Sequence, residues 1–448
     1  MAKLWDKGYD DDSLIDRFTV GRDRELDLFL APYDIMGTAA HIRMLAKVGL
    51  LPGEDLEKLL PELQSLYVDA KEGRFVIEPD VEDVHSQVEL MLTRKLGDVG
   101  KKVHTGRSRN DQVLVDLKLY ARARIAVTAG KARQLFDILQ KRSCESRDVL
   151  LPGYTHLQVA MPSSFGLWFG AYAESLTDDM RMMKAAWEIV NQNPLGSAAG
   201  YGSSAPLDRE MTTRLLGFDD LDYNSVYAQM CRGKMERAVS SAYASVAGTV
   251  GRLAMDCCLY ASQNFGFIRL PDTMTTGSSI MPHKKNPDVF ELVRAHCNHI
   301  QAIPNDISLV AGNLPSGYFR DMQLLKEIFI PMFDEMDDCL DIAAYAVGKM
   351  DIVKGIMDAP QYQPAFSVEE VNRLVGEENV PFRDAYRRVG LEIMEGRFEF
   401  HGRLNHTHAG SIGNLCNDRI KAKMDNILSG FGFEIVEKVE NALFNSTF

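Results

Sequence analysis

An all-α fold is what this sequence predicts, and three observations predict it. Apolar residues recur at helical spacing along segments much longer than an ordinary strand. Alternating β-branched runs are few, and no hairpin dipeptide stands between two of them. One long segment, "AVSSAYASVAGTVGRLA", is dense in Ala, Ser and Gly, which let helix backbones approach closely.

The 448 residues have room for two or three domains. A smaller N-terminal helical region runs to a boundary between Gly106 and Asp111. From Asp111 to about Ser146, Val113, Leu117, Ile125, Leu135 and Ile138 recur at helical spacings, with Arg and Lys between them. A second long helix is expected from Ser163 to Gln192, and a third from Met235 to about Gln263. The third would span about 42 Å at the usual rise per residue, and it has few positions for a solvated face. It reads as one rod of a bundle whose remaining faces are covered by other subunits. The stretch "MDAPQYQP" marks a late boundary. After it, Ser367 as N-cap, Glu370 three residues on and Gly376 at the stop outline a new helix. The expected domains are 1–110, N-terminal and helical; 111–358, the long-helix bundle; and 359–448, small and helical.

Composition narrows the partners. A hydrophobic fraction of 46% and a charged fraction of 25% are ordinary for a soluble globular chain. A net charge of −13 argues against nucleic acid or an anionic membrane surface. Any anionic substrate must therefore be held by a local cationic pocket. The start, "MAKLWDKGYDDDS", is acidic and lacks the apolar core of a secretory signal. No run approaches the roughly 20 apolar residues of a membrane span. Seven scattered cysteines without a CxxC pair fit reduced thiols, so the expected compartment is the cytoplasm.

Four stretches carry candidate chemistry. In "TGSSIMPHKKNPDVFE", Asn286 as N-cap, Pro287 at the first helical position and Asp288 in the first turn place the serines and lysines on a loop before a helix N-terminus. Such a loop favours anions and lowers the cost of a serine alkoxide, so Ser278 can serve as a base there. A solvated Gly-Ser turn fits the local composition equally well. In "HTGRSRNDQ", Arg107 and Arg109 flank Ser108, with Asn110 or Asp111 able to cap the next helix. Two arginine forks so close suit carboxylates; an exposed helix cap is the plainer reading. In "GYTHLQVAMP", Thr155 and His156 lie in a Gly- and Pro-bounded turn, where the histidine is either an acid–base group or hydrogen-bonded structure. Lastly, "EDVHSQVE" sets His85 near Glu82 and Asp83, and "LPSGYFRDMQLLKE" holds Tyr318, Gln323 and Lys326; each is a pocket wall or a surface segment. His406 and His408, and His296 and His299, lack acids at metal-site spacing. No glycine-rich nucleotide loop occurs, so neither a metal nor a cofactor is expected.

Together these stretches resemble the fumarase/aspartase superfamily, whose GSSxMPxKxN loop "GSSIMPHKKNP" fits from Gly277 to Pro287. Within it the chain is similar to the argininosuccinate lyase family, through "TGRSRNDQ", "GYTHLQ", "MPHKKNPDVFEL" and the spaced Tyr318, Gln323 and Lys326. The resemblance runs from about Asp11 to about Met350. It implies a three-domain, all-helical subunit, a homotetramer round a central bundle, and active sites shared between subunits. It also implies reversible elimination of argininosuccinate to fumarate and arginine, without a cofactor. By the same resemblance Ser278 is the base, and Lys284 and Asn286 hold the aci-carboxylate; one preorganised donor of that kind is typically worth roughly 100–1000-fold in rate. His156, oriented by Glu291, relays a proton to the departing nitrogen. Arg109, Asn110 and Thr155 bind the succinyl part, and Arg107, Tyr318, Gln323 and Lys326 bind substrate as well.

Three positions depart from the family pattern. His283 stands where Gln is common, Val88 where some members have Asn, and Gly233 where Asp is frequent. Rival readings are another fumarate-releasing lyase (adenylosuccinate lyase, fumarase or aspartase), a catalytically silent crystallin-like relative, or a binding module without turnover. "GRSRNDQ" is not expected in the first, and the intact Ser278, His156, Lys284 and Glu291 argue against the second.

Overall fold

Ser108 starts the longest helix of the molecule. Its side chain accepts from the Asn110 N–H, and the Asp111 carboxylate accepts from the Ser108 N–H at 2.9 Å. This capping box makes Ser108 the cap, where the sequence offered Asn110 or Asp111. The computed structural model describes residues 13–445, so residues 1–12, on which the reading of the chain's start rests, lie outside it.

The N-terminal region holds α1 (Ser13–Val20), α2 (Asp23–Lys47), α3 (Gly53–Lys71) and α4 (Val84–Leu96). Then come α5 (Arg109–Glu145), a hairpin of β1 (Leu150–Thr155) and β2 (Gln158–Ser164), and α6 (Phe165–Val190). Short α7 (Arg209–Leu215) and α8 (Ser225–Met230) lead to α9 (Lys234–Ala261), α10 (Asp288–Val310) and α11 (Leu325–Lys349). The chain finishes with α12 (Ser367–Glu378), α13 (Phe382–Met394), α14 (Asn417–Leu428) and α15 (Glu434–Asn445).

Five long helices, α5, α6, α9, α10 and α11, pack side by side round one apolar core. The small residues of α9 do what their size allows. Ala242, Ala247 and Ala254 are buried, and a Cβ built on Gly251 would lie 3.1 Å from Cys297 Cβ on α10. A second core joins α2, α3 and α4, and Val439 and Leu443 of α15 belong to it. Ile420 and Met424 of α14 join the bundle core instead. Residues 359–445 thus return onto both cores, while Val371, Leu374, Ala385 and Val389 form a small core of their own.

Three local expectations need correction. Asn286 does not cap α10; Pro287 holds that position without a side-chain cap. Asn286 instead pairs in a β-bridge with Thr276, its N–H donating to the Thr276 carbonyl at 2.9 Å. Nor does Ser367 cap α12, which begins with Ser367 after Phe366 and runs through Gly376. Its end is set by Asn379 in the left-handed region. The third is the β1–β2 hairpin itself. Its turn, His156–Leu157, has φ of 54° and 57°, conformations normally supplied by Asn-Gly or Gly-Gly, so the expected turn carries no hairpin dipeptide to show that paired strands flank it.

Candidate active site

Asp23 and Asp27 sit one helical turn apart on α2 and meet a lysine between them. Lys326 Nζ lies 2.7 Å from a carboxylate oxygen of each. These three belong to the wall of a cavity of about 370 Å³. Arg109 and Asn110 line it from the start of α5, and Tyr318 and Gln323 from the segment entering α11. The structure therefore gathers five of the sequence-predicted residues: Arg109, Asn110, Tyr318, Gln323 and Lys326.

The wall carries charges of both signs. Arg109 donates to Glu82 at 2.9 Å and lies 3.2 Å from Asp83, whose side chain also caps α4. Arg320 donates to the other oxygen of Glu82 at 3.0 Å, and to the Thr19 carbonyl. Gln323 donates to the Thr19 and Val20 carbonyls, tying the end of α1 to the cavity. Burial pushes the Asp23 carboxyl up to about 6 against the pull of Lys326, with Asp27 adding repulsion. Burial works against the Lys326 charge too, but Asp27 and Asp23 raise it above the ordinary ammonium range. A wall of this kind suits a ligand with both cationic and anionic groups.

The serine loop lies elsewhere. The Ser278 hydroxyl oxygen accepts from the Ile280 N–H at 3.3 Å and the Met281 N–H at 3.1 Å. Two backbone donors aimed at one hydroxyl oxygen stabilise negative charge developing on it. Lys285 is paired with Asp272, whereas no hydrogen bond or ion pair engages the Lys284 ammonium among the described residues. The loop is open to solvent, with Ile280 83% exposed at its tip.

His156 is carried on the tip of the hairpin. Gly153 allows the strands to close, since a Cβ there would lie 2.9 Å from the Met161 carbonyl oxygen. Tyr154 anchors the hairpin edge-on against Phe265. A non-glycine residue in the left-handed region costs about 1–3 kcal/mol, and such strain clusters at functional sites. Within one chain no hydrogen bond joins His156 to Glu291 among the described residues. Thr155, His156, Ser278, Lys284, Asn286 and Glu291 do not line the cavity of Arg109. Arg107 is buried outside it, donating to Thr38 at 2.9 Å and the Val103 carbonyl at 2.8 Å.

A family model described as "Lyase" matches residues 10–302. An argininosuccinate lyase from Phocaeicola vulgatus is 62% identical over 441 residues, covering 98% of this chain and 99% of its own. One from Bacteroides fragilis is 60% identical, covering 98% of each. The chain belongs to the argininosuccinate lyase family. Its fold is also that of an EDDS lyase solved with formate, at a TM-score of 0.76 and 20% identity, over 97% of this chain and 95% of that one.

The departures from the argininosuccinate lyase pattern now have physical settings. Gly233 has φ of 76°, and a Cβ there would lie 2.7 Å from Ala311 Cβ. This chain's packing leaves no room for an aspartate. The neighbouring Arg232 is buried and engaged by Glu236 and the Met322 carbonyl. Val88 is buried in the N-terminal core, where an apolar side chain packs. His283 is exposed on the serine loop. The sequence reading omitted Asp23, Asp27, Arg232 and Arg320 from the site. Their signal was available only as charges at the start of a helix and beside Tyr318; nothing local showed that α2 and α11 meet there.

Proposed function

We propose that this chain catalyses the reversible β-elimination of argininosuccinate to fumarate and L-arginine, a step of arginine biosynthesis. What carries the reading is the near-full-length likeness to argininosuccinate lyases, together with an intact serine loop in which backbone donors meet the Ser278 hydroxyl. Ser278, as alkoxide, takes the proton next to a succinyl carboxylate. The electron pair left on that carbon is delocalised into the carboxylate as an aci-carboxylate, held by Lys284 and Asn286. Its collapse forms the fumarate double bond and breaks the C–N bond. The departing guanidino nitrogen receives a proton through His156, oriented by Glu291. Arg109, Asn110 and Thr155 hold the succinyl part, with Arg107 as support, and Tyr318, Gln323 and Lys326 hold the remainder. No cofactor or metal takes part.

A homotetramer in the cytoplasm is part of the proposal, with sites completed between subunits and the chain divided at 1–110, 111–358 and 359–448. Its support is that one chain's cavity gathers only part of the set, while Leu292, Leu309, Ile342 and Tyr345 are exposed apolar residues on α10 and α11. Among the described residues no helix is long and apolar enough to cross a membrane.

The test follows fumarate by its ultraviolet absorbance when purified protein meets argininosuccinate without added metal or nucleotide. Fumarate is expected from argininosuccinate and not from adenylosuccinate, and Ser278→Ala should lower the rate at least 100-fold. A folded wild-type protein that releases no fumarate would end this reading.

A further inference from the structure

Among the buried charges that the proposed reaction leaves unused are Asp34, His85 and Asp116. They come from α2, α4 and α5, and no short motif in the sequence joins them. His85 Nδ1 lies 2.7 Å from Asp34 Oδ1 and 3.6 Å from Asp116 Oδ2. Asp34 is 1% exposed and Asp116 is fully buried. Among the described residues neither oxygen of Asp116 has a hydrogen-bond partner, and Asp34 Oδ2 has none. Burial first, and then the Asp34 charge, push the Asp116 carboxyl well above its usual range, so it ionises here only with positive charge beside it, which His85 and Arg107 offer. The His85 ring also lines the cavity of Arg109; its Nδ1 is committed to Asp34, and Nε2 is the ring nitrogen without a hydrogen bond among the described residues.

We infer that Asp34 and Asp116 are positioning residues that hold His85 as an imidazolium, and that the His85 Nε2–H binds a carboxylate of the substrate beside Arg109. The inference rests on the lyase reading of this cavity and adds to it an anion-binding residue and the two groups that fix its charge. Arg109 alone is a diluted cation, because Glu82 and Asp83 already face it.

A divalent ion is the competing occupant, since ligand atoms of the three residues lie within 4.8 Å of one another. The contact geometry favours the proton. His85 Nδ1 and Asp34 Oδ1 stand at direct hydrogen-bond distance, 2.7 Å, as an N–H donating to a carboxylate does. Arg107 adds positive charge that Asp34 and Asp116 share with Asp111 and Glu89. The other charges facing His85 are Asp83 at the start of α4, Asp27 of α2 through Asp116, Arg109, and His104 in the turn before α5. Burial alone would lower the His85 pKa, but Asp34 first, then Asp116 and Asp83, lift it to about 9.

The test compares wild type, His85→Gln, His85→Lys and Asp116→Asn as full chains of matched fold and assembly size. It reads kcat and KM for argininosuccinate between pH 6 and 10, fumarate binding by calorimetry, and metal content by mass spectrometry. His85→Gln should raise KM and weaken fumarate binding about tenfold or more, the usual loss for one charge-assisted hydrogen bond, with kcat changed far less. His85→Lys should recover part of that loss. Asp116→Asn should move the alkaline rise of KM down by about one pH unit, as removal of one nearby opposite charge requires. Unchanged binding in His85→Gln, or an unmoved alkaline limb in Asp116→Asn, overturns the inference. So does one divalent ion per chain retained by wild type and lost from Asp116→Asn. Should Asp116→Asn not fold, the Gln and Lys pair at His85 decides alone. Wild type that binds fumarate but releases none from argininosuccinate sinks the lyase reading, and the calorimetric comparison at His85 still stands.

Discussion

Lys326 shows how much one side chain carries in this cavity. It is buried between Asp23 and Asp27, so its removal strands two carboxylates away from water. Lys326→Met should destabilise the fold by about 3–5 kcal/mol, the usual penalty for breaking a buried pair, measured by urea denaturation. His85 gives a pH signature. Its folded pKa of about 9 lies above the unfolded value, so its contribution is complete below about pH 6.5 and fades as pH rises through 9. Wild-type Tm should therefore fall over that window, and His85→Gln should flatten the slope. Candidate residues were named where they are neighbours in the sequence: Ser278 and the lysines after it share one loop, and Arg109 and Asn110 share one helix start, which the structure sets on the cavity wall. Asp34 and Asp116 were not, because 51 residues separate Asp34 from His85 and only the fold unites them.

Among the elements, the rods were the readable part. Rods long enough for many turns repeat their apolar pattern often enough to identify themselves, and the third rod was read within two residues of α9 at each end. The hairpin was not, because His156 and Leu157 hold positive φ without the Asn or Gly that announces a two-residue turn. Asn286 misled for a related reason: its cap-like position before Pro287 is taken over by the bridge to Thr276. Gly233 offers the corresponding element-scale prediction. Gly233→Asp would introduce a Cβ against Ala311 at a positive φ, where α9 begins. A loss of about 2–3 kcal/mol is expected from strain and overpacking, again read by denaturation. A neutral result would mean that the loop before α9 repacks freely.

At the scale of the whole molecule, the cavity of Arg109 and the loop of Ser278 are separate features of one chain, each missing what the other has. The proposed tetramer joins them. Its most direct test is to mix two inactive variants, Ser278→Ala and Arg109→Ala, dissociate and reassemble them together, and follow fumarate from argininosuccinate. Activity should return in the mixture, because some junctions then combine an intact loop with an intact cavity wall. Mixed assemblies that form and stay as inactive as either parent would contradict it, and would place the whole reaction within a single chain.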